Sequence, residues 1–186
     1  MTKRSSWVLS LLTLSAMGCE SSDAATTRAD ATSPTSDTPS GVDGTGGLPG
    51  ESIEEACEHA KTGPFKDVTA TTAATDAPDA TAEHTLVRVA LTDVAGGKGG
   101  VVTWASDEAG EVAVFVTRDV PLAVAKVGGA ALELEATVAL SACEDVPKAL
   151  VFDFEIGAYT LTFGPTSETS VGIVVEHLGG AHPEGE

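Results

Sequence analysis

The stretch "ALVFDFEIGAYTLTFG", residues 149–164, shows the pattern that decides the fold. Apolar and polar residues alternate along much of it, as expected for strands that bury one face and expose the other. The segments "GEVAVFVTR" at residues 110–118 and "SVGIVVEH" at residues 170–177 are equally short and rich in valine. The sequence therefore predicts β-strands here, because β-branched and aromatic side chains favour them.

Similar short segments occupy most of the chain after Pro64: "KDVTATTAA", "HTLVRVAL", "GVVTWAS", "PLAVAKV", "AALELEAT" and "VALSAC". Turn signals separate them, including "AGGKGG", "SDEAG", "VGG", "EDVP" and "GPTSE". Many short strands separated by turns every 8–12 residues or so are typical of a sandwich. We therefore expect an all-β fold, an antiparallel β-sandwich of jelly-roll-like type.

One helix is predicted before the strands, in "GESIEEACEHAKTGP". Ser52 and Glu55 have the spacing of a capping box, and Gly63 with Pro64 should end the helix. The three-and-four spacing of apolar positions places one set of residues on a single face: Ile53, Ala56, Cys57 and Ala60. The expected folded domain, residues 51–186, is thus a short helix followed by the sandwich.

Cys57 and Cys143 are two of the three cysteines, and they form an even pair if Cys19 is modified. Outside the reducing cytosol such a pair indicates a disulfide. It would tie the helix to a late strand. The alternative is a pair of metal-binding thiolates, although neither cysteine belongs to a CxxC motif.

Residues 1–18 have the features of a secretory signal peptide, with Lys3 and Arg4 ahead of an apolar run from Trp7 to Met17. That run is too short for a membrane-spanning helix, which needs about 20 apolar residues. Residues 19–50 are rich in Ser, Thr, Gly and Pro and contain little to bury. We therefore expect them to form a disordered linker.

The end of the leader, "SAMGC", resembles the lipobox of bacterial lipoproteins through Gly18 and Cys19. Ala16 and Met17 depart from the usual pattern of that motif. The resemblance implies that Cys19 carries lipid and anchors the chain in the bacterial cell envelope, on the periplasmic or cell-surface side. The alternative is an ordinary secretory signal that leaves Cys19 as a free thiol.

Two further segments, "DEAGEVAVFVTRDVPLAV" at 107–124 and "EIGAYTLTFGPT" at 155–166, resemble accessory jelly-roll modules of secreted bacterial proteins. The pre-peptidase C-terminal domains are one such group. The resemblance covers about a third of the chain. It implies an accessory β-sandwich and no catalytic residue.

The composition and motifs argue against several classes of function. The formal charge of −18 would repel nucleic acid and anionic lipid headgroups. The sequence has no GxSxG, HExxH or P-loop motif. "GGKGG" at residues 96–100 lacks the Ser or Thr of a phosphate loop, so we interpret it as a turn. We therefore expect a protein that is not an enzyme and has no cofactor.

Metal binding is the remaining chemical possibility. His177 and His182 lie in a carboxylate-rich tail with Glu176 and Glu184, and His59 lies on the predicted helix. Imidazole and carboxylate groups suit Zn²⁺ or Cu²⁺, while acidic turns suit Ca²⁺. The alternative is that these residues are solvated surface groups.

Two functions follow from the sequence. The leading hypothesis is a lipid-anchored envelope protein with a structural or interaction role and a protein partner that the sequence does not identify. The alternative is a periplasmic metal-binding lipoprotein that uses His59, His177 and His182.

Overall fold

The computed structural model describes residues 47–179, and these residues form one α-helix and ten strands. The helix is α1 (Gly50–Thr62), and a single 3₁₀ turn lies at Ala74–Asp76. The strands are β1 (Phe65–Thr69), β2 (Leu86–Ala90), β3 (Thr92–Val94), β4 (Gly97–Ser106), β5 (Gly110–Val116), β6 (Leu122–Lys126), β7 (Ala136–Ala139), β8 (Lys148–Phe154), β9 (Gly157–Thr166) and β10 (Ser170–His177). The predicted all-β fold with one short helix is confirmed.

Several predictions concern residues outside this range. The signal peptide at 1–18, the lipid-bearing Cys19, the linker as far as residue 46 and His182 all lie outside the described residues. Within residues 47–179, no helix is long and apolar enough to cross a membrane.

The strands form two sheets, one of six strands in the order β1-β2-β10-β5-β8-β7 and one of four in the order β3-β4-β9-β6. Neighbouring strands of the described chain are antiparallel, except that β1 and β2 are parallel. Parallel neighbours need a long connection. Residues 70–85 provide it and form bridges with the other sheet, where Thr71 pairs with Val101 and Asp79 pairs with Thr103.

Apolar side chains from both sheets form the main core. The rings of Phe154 and Tyr159 stack with centroids 4.4 Å apart. The Tyr159 hydroxyl donates a hydrogen bond to the Glu155 carbonyl at 2.7 Å, so this buried polar atom is satisfied. Each large apolar side chain buried here contributes about 1.5–3 kcal/mol. Other members of this core are Val102, Trp104, Val114, Phe152, Leu161, Phe163 and Ile173.

A second apolar cluster lies between α1 and the outer side of the six-stranded sheet. Ile53 and Ala56 are buried, and Cys57 and Ala60 pack beside them, which confirms the predicted helix face. Their partners on the sheet include Leu86, Ala113, Phe115, Val151 and Val174. Cys57 is joined to Cys143 with a Cα–Cα distance of 5.9 Å, so the predicted disulfide is confirmed. The helix is therefore fixed against β10 and its neighbours.

The start of the helix differs from the prediction. Helix α1 begins at Gly50, and Pro49 precedes it without a side-chain cap. Ser52 is the third helical residue, so the predicted capping box with Glu55 is wrong. The Glu55 carboxylate instead contacts the imidazole of His84, which lies in another part of the chain. The predicted end is confirmed, since the helix stops at Thr62 and the Gly63 N–H donates to the His59 carbonyl at 3.0 Å.

Two strand boundaries also differ. The "GGKGG" segment is only partly a turn, because Gly96 lies in the turn between β3 and β4 but β4 already begins at Gly97. A Cβ atom on Gly99 would lie 2.5 Å from the Phe163 carbonyl oxygen, so glycine allows the close approach of β9. The "AALELEAT" segment was expected to be a strand, but only its last two residues, Ala136 and Thr137, belong to β7. The residues before them cross from the four-stranded sheet to the six-stranded sheet. The Leu132 N–H donates to the Val124 carbonyl of β6, and the Glu135 N–H donates to the Val151 carbonyl of β8.

Candidate metal centre

Four side chains from three separate parts of the chain converge beside α1. Glu55 and His59 come from the helix, His84 comes from the turn before β2, and Glu176 comes from β10. One ligand atom from each residue lies within 4.8 Å of all the others. Four donors around a zinc ion at about 2.0–2.1 Å lie roughly 3.3 Å from one another in a tetrahedron. The observed spacing is therefore close to that of a metal site.

The helix places Glu55 and His59 side by side, because residues four apart share a helix face. Their Oε1 and Nε2 atoms are 3.7 Å apart. The Nδ1 atom of His59 is 3.2 Å from the Gly63 carbonyl oxygen. Since a carbonyl only accepts hydrogen bonds, Nδ1 of the neutral ring carries the hydrogen and Nε2 presents its lone pair to the cluster. Nε2 is buried and has no hydrogen-bond partner within the part of the chain that the structure describes.

His84 is positioned by an unusual backbone conformation. Its φ is 46°, and it is the one residue other than glycine with a positive φ between residues 47 and 179. This left-handed conformation costs an ordinary residue about 1–2 kcal/mol. It brings Nδ1 to 2.7 Å from Glu55 Oε1 and 3.6 Å from Glu176 Oε2. The strain thus accompanies an imidazole that lies between two carboxylates, as strained residues at functional sites often do.

Glu176 is the most buried member of the group, with 3% of its surface exposed. It follows Val174 by two residues on β10, so it lies on the same side of the sheet as α1. Burial, together with the negative charges of Glu55 and Glu83, raises the pKa of Glu176 to about 8. Its Oε1 atom has no hydrogen-bond partner among the described residues. A carboxylate in this position is stable only when a proton or a cation neutralises it.

The structure groups the predicted ligands differently from the sequence hypothesis. His59 is part of the cluster, but His177 is not. His177 follows Glu176 directly on β10, so its side chain lies on the opposite side of the strand. There it lines a shallow depression with Glu108 and Glu111. His182, the third predicted ligand, lies outside the described residues.

Sequence reasoning missed His84 and assigned Glu55 to a helix cap. Two signals were available. Glu55 and His59 are separated by four residues on a predicted helix, and Glu176 interrupts an otherwise apolar strand. No pattern in the sequence indicated His84, because its place in the cluster depends on the turn that precedes β2.

The donor set determines which ions suit this centre. Two imidazole nitrogens and two carboxylate oxygens match Zn²⁺ and related divalent transition metals. Ca²⁺ prefers oxygen ligands alone, and Cu⁺ prefers sulfur. The two carboxylates balance the charge of a divalent ion. The side chains of Glu55 and His84 are 31% and 40% exposed, so an ion reaches the cluster directly from solvent.

The chain matches no protein-family model and has no significant sequence similarity to a curated protein. The fold and this cluster are therefore the structural features that bear on its function.

Proposed function

We propose that this protein binds a divalent transition-metal ion, Zn²⁺ in particular, through Glu55, His59, His84 and Glu176. The observation that carries the proposal is the buried Glu176 carboxylate, whose pKa is raised to about 8 and whose Oε1 has no hydrogen-bond partner among the described residues. It faces two imidazoles and a second carboxylate. A metal ion satisfies all four groups at once.

A purely structural role for these residues is less well supported. Buried polar clusters are seldom more stabilising than apolar side chains of the same size. The rest of the interface between α1 and the sheet is built from apolar residues such as Ile53 and Phe115. The polar cluster, with His84 in a strained conformation, therefore needs a reason other than packing. Metal binding provides one.

The location of this site is the second part of the proposal. We infer that the lipobox-like "SAMGC" segment places lipid on Cys19, and that the Ser/Thr-rich linker separates the β-sandwich from the membrane. The Cys57–Cys143 disulfide supports an oxidising compartment, as found outside the cytoplasm. The protein would then hold metal at the cell envelope, with a non-enzymatic role in binding the ion and a membrane contact made through its N-terminal lipid.

Calorimetric titration of the purified full chain with Zn²⁺, Cu²⁺ and Ca²⁺ tests the metal-binding proposal. We expect one Zn²⁺ per chain with a micromolar or lower Kd, and no Ca²⁺ binding at that strength. His84→Asn and Glu176→Gln should each weaken Zn²⁺ binding tenfold or more, since each removes a ligand.

Two matched controls keep the test specific. His177→Asn removes a histidine from the opposite side of β10, and Glu54→Gln removes an acid from the exposed surface of α1. Both should retain wild-type affinity. Binding that depends on His177 or Glu54 but not on Glu176 would overturn the assignment, as would the absence of any Zn²⁺ binding.

Fractionation of cells tests the anchor separately. Cys19→Ala should move the protein from the membrane fraction to the soluble fraction, because it removes the residue that would carry lipid. Unchanged membrane association of this variant would contradict the lipid anchor and would leave the metal site unaffected.

A further inference from the structure

Helix α1 is attached to the sheet along both of its flanks. Successive helical residues are separated by about 100°, so Cys57 lies about 200° from Glu55 and a similar angle from His59. The buried Ile53 and Ala56 occupy the face between them. One flank of the helix therefore carries the disulfide to Cys143, and the other flank carries two of the four metal ligands.

The geometry points to a coupling between these two attachments. We propose that the Cys57–Cys143 disulfide controls the affinity of the metal site, so that reduction of the disulfide weakens Zn²⁺ binding and bound Zn²⁺ protects the disulfide. This inference rests on the proposed metal-binding function. The regulator would be the thiol–disulfide state of the compartment, acting through a dithiol.

The two halves of the metal site belong to different structural units. Glu55 and His59 lie on the helix, whereas Glu176 lies on β10, a central strand of the six-stranded sheet between β2 and β5. His84 lies in the turn that leads into β2. An ion can bind all four donors only while the helix is docked on the sheet. Metal affinity is consequently reduced by the fraction of molecules in which the helix has moved away.

Apart from the disulfide, a small apolar contact and the Glu55–His84 ion pair hold the helix on the sheet. Within α1, only Ile53 and Ala56 are buried, and the outer surface of the helix carries Glu51, Glu54 and Glu58. A helix of 13 residues is marginally stable when isolated in water. Breaking the covalent bond at Cys57 therefore allows the helix to undock or unwind far more often, and the ligands Glu55 and His59 leave with it.

The reduction step can be stated in full. A thiolate of the dithiol attacks one sulfur of the Cys57–Cys143 bond and forms a mixed disulfide, which the second thiol of the reductant then resolves. Two electrons and two protons are transferred to the cysteines, and the dithiol becomes a disulfide. Because Cys57 lies on the flank away from the cluster, its thiol does not replace a metal ligand. Reduction acts through the position of the helix.

The reverse effect follows from thermodynamic linkage. If reduction lowers Zn²⁺ affinity by some factor, Zn²⁺ must favour the oxidised state by the same factor. The mechanism is local opening. Cys143 is 1% exposed and Cys57 is partly buried against the same apolar cluster, so opening of this region makes both sulfur atoms more accessible to a reductant. An ion that joins α1 to β10 suppresses that opening.

The proposal is tested on the full chain by removing the disulfide in two ways, by chemical reduction and by substitution of both cysteines. Zn²⁺ is titrated into the oxidised protein, into protein reduced with a water-soluble phosphine, and into the Cys57→Ser/Cys143→Ser variant. We expect the Kd for Zn²⁺ to rise tenfold or more in both reduced forms. The fluorescence of Trp104, which is 3% exposed in the main core, should stay unchanged and would show that the sandwich is still folded.

The reciprocal measurement is the rate at which the phosphine reduces the disulfide. Zn²⁺ at a concentration that saturates the wild type should slow its reduction tenfold or more and should protect Glu176→Gln far less, because that variant lacks a ligand. Equal Zn²⁺ affinity in oxidised and reduced protein, with no protection of the disulfide, would overturn the coupling while leaving the metal site intact. If the oxidised protein binds no Zn²⁺, the metal-binding function and the coupling both fail.

Discussion

The two sides of the six-stranded sheet meet very different surfaces. On the inner side, apolar residues such as Phe152 pack against residues of the four-stranded sheet such as Leu161. The buried Tyr159 hydroxyl, also from the four-stranded sheet, is hydrogen-bonded. The outer side packs on α1 through a smaller apolar cluster, and it also buries Glu176. One sheet therefore has a predominantly apolar interface on one side and a mixed interface on the other.

The difference separates the residues that stabilise the fold from those that are available for chemistry. Apolar burial on the inner side supplies free energy in proportion to area. The carboxylate on the outer side costs free energy unless it is neutralised. Local features that oppose stability tend to occur at functional sites. A substitution in one interface should therefore change stability or Zn²⁺ affinity without an equal effect on the other interface.

The largest effect is expected on the inner side. Phe152→Ala should lower the free energy of unfolding by about 3–5 kcal/mol, because it leaves a cavity in the main core. Zn²⁺ affinity of the folded variant should stay within about twofold of wild type, since Phe152 lies on the side away from α1. Urea denaturation and calorimetry measure the two quantities. Ile156→Ala, at a residue 65% exposed, is the control and should change stability by less than about 0.5 kcal/mol.

In the outer interface, replacement of Glu176 should raise the free energy of unfolding at high pH, whereas the Phe152 substitution lowers it. The pKa of Glu176 is raised from its usual 4.5 to about 8, so the folded protein holds a proton that the unfolded chain releases between these values. The free energy of unfolding of the metal-free wild type should therefore fall as pH rises through this window. Glu176→Gln cannot ionise, so above pH 8 it should be more stable than wild type by about 2–4 kcal/mol.

Urea denaturation at several pH values checks this prediction in the presence of a chelator. The two proteins should have similar stability near pH 4, and the difference should grow towards pH 8. Glu54→Gln on the exposed surface of α1 should follow the wild-type profile. A difference between Glu176→Gln and wild type that does not depend on pH would contradict the burial argument.

Zn²⁺ bound at the mixed interface should raise the free energy of unfolding. At a free concentration of 100 times the Kd, an ion that binds only the folded state adds about 2.7 kcal/mol to the free energy of unfolding. Thermal unfolding at pH 7.5 with and without Zn²⁺ measures the gain. The gain should fall to about 1.4 kcal/mol or less in Glu176→Gln and His84→Asn, which bind Zn²⁺ at least tenfold more weakly, and it should persist in His177→Asn. A Zn²⁺ effect of equal size in all four proteins would place the ion elsewhere.

The smallest effect concerns the backbone of His84. Asparagine tolerates the left-handed conformation better than alanine does. His84→Ala should therefore be less stable than His84→Asn by about 1 kcal/mol, although both variants lose the imidazole ligand. Urea denaturation without metal compares them. Equal stability would mean that the turn relaxes to a negative φ after substitution.

The sequence predicted the inner interface far better than the outer one. Alternation in segments such as 149–164 reflects burial of one strand face, and strands β8 and β9 appear there. The disulfide followed from the sequence only on the assumption that Cys19 is modified, since this assumption leaves Cys57 and Cys143 as the one possible pair among the three cysteines. These features depend on local pattern or on counting, and both are visible in a single sequence.

The cluster of Glu55, His59, His84 and Glu176 depends on long-range docking and could not be predicted in the same way. Glu55 and Glu176 are brought together only because α1 packs across β10, and periodicity does not specify which strand a helix covers. The spacing of Glu55 and Ser52 matched a capping box, and this local signal concealed the contact between Glu55 and His84. His84 adopts a positive φ, and the sequence gives no sign of this because the position is not occupied by glycine or asparagine.

The Cys57–Cys143 bond joins residues separated by 86 positions, and strands β1 to β7 all lie between them. A single proteolytic cut anywhere in that interval leaves two fragments that remain covalently connected. A nicked molecule would migrate as one species in a non-reducing gel and would separate into two only after thiol treatment. This closed ring therefore keeps the two parts of the sandwich covalently attached to each other after damage to an exposed loop.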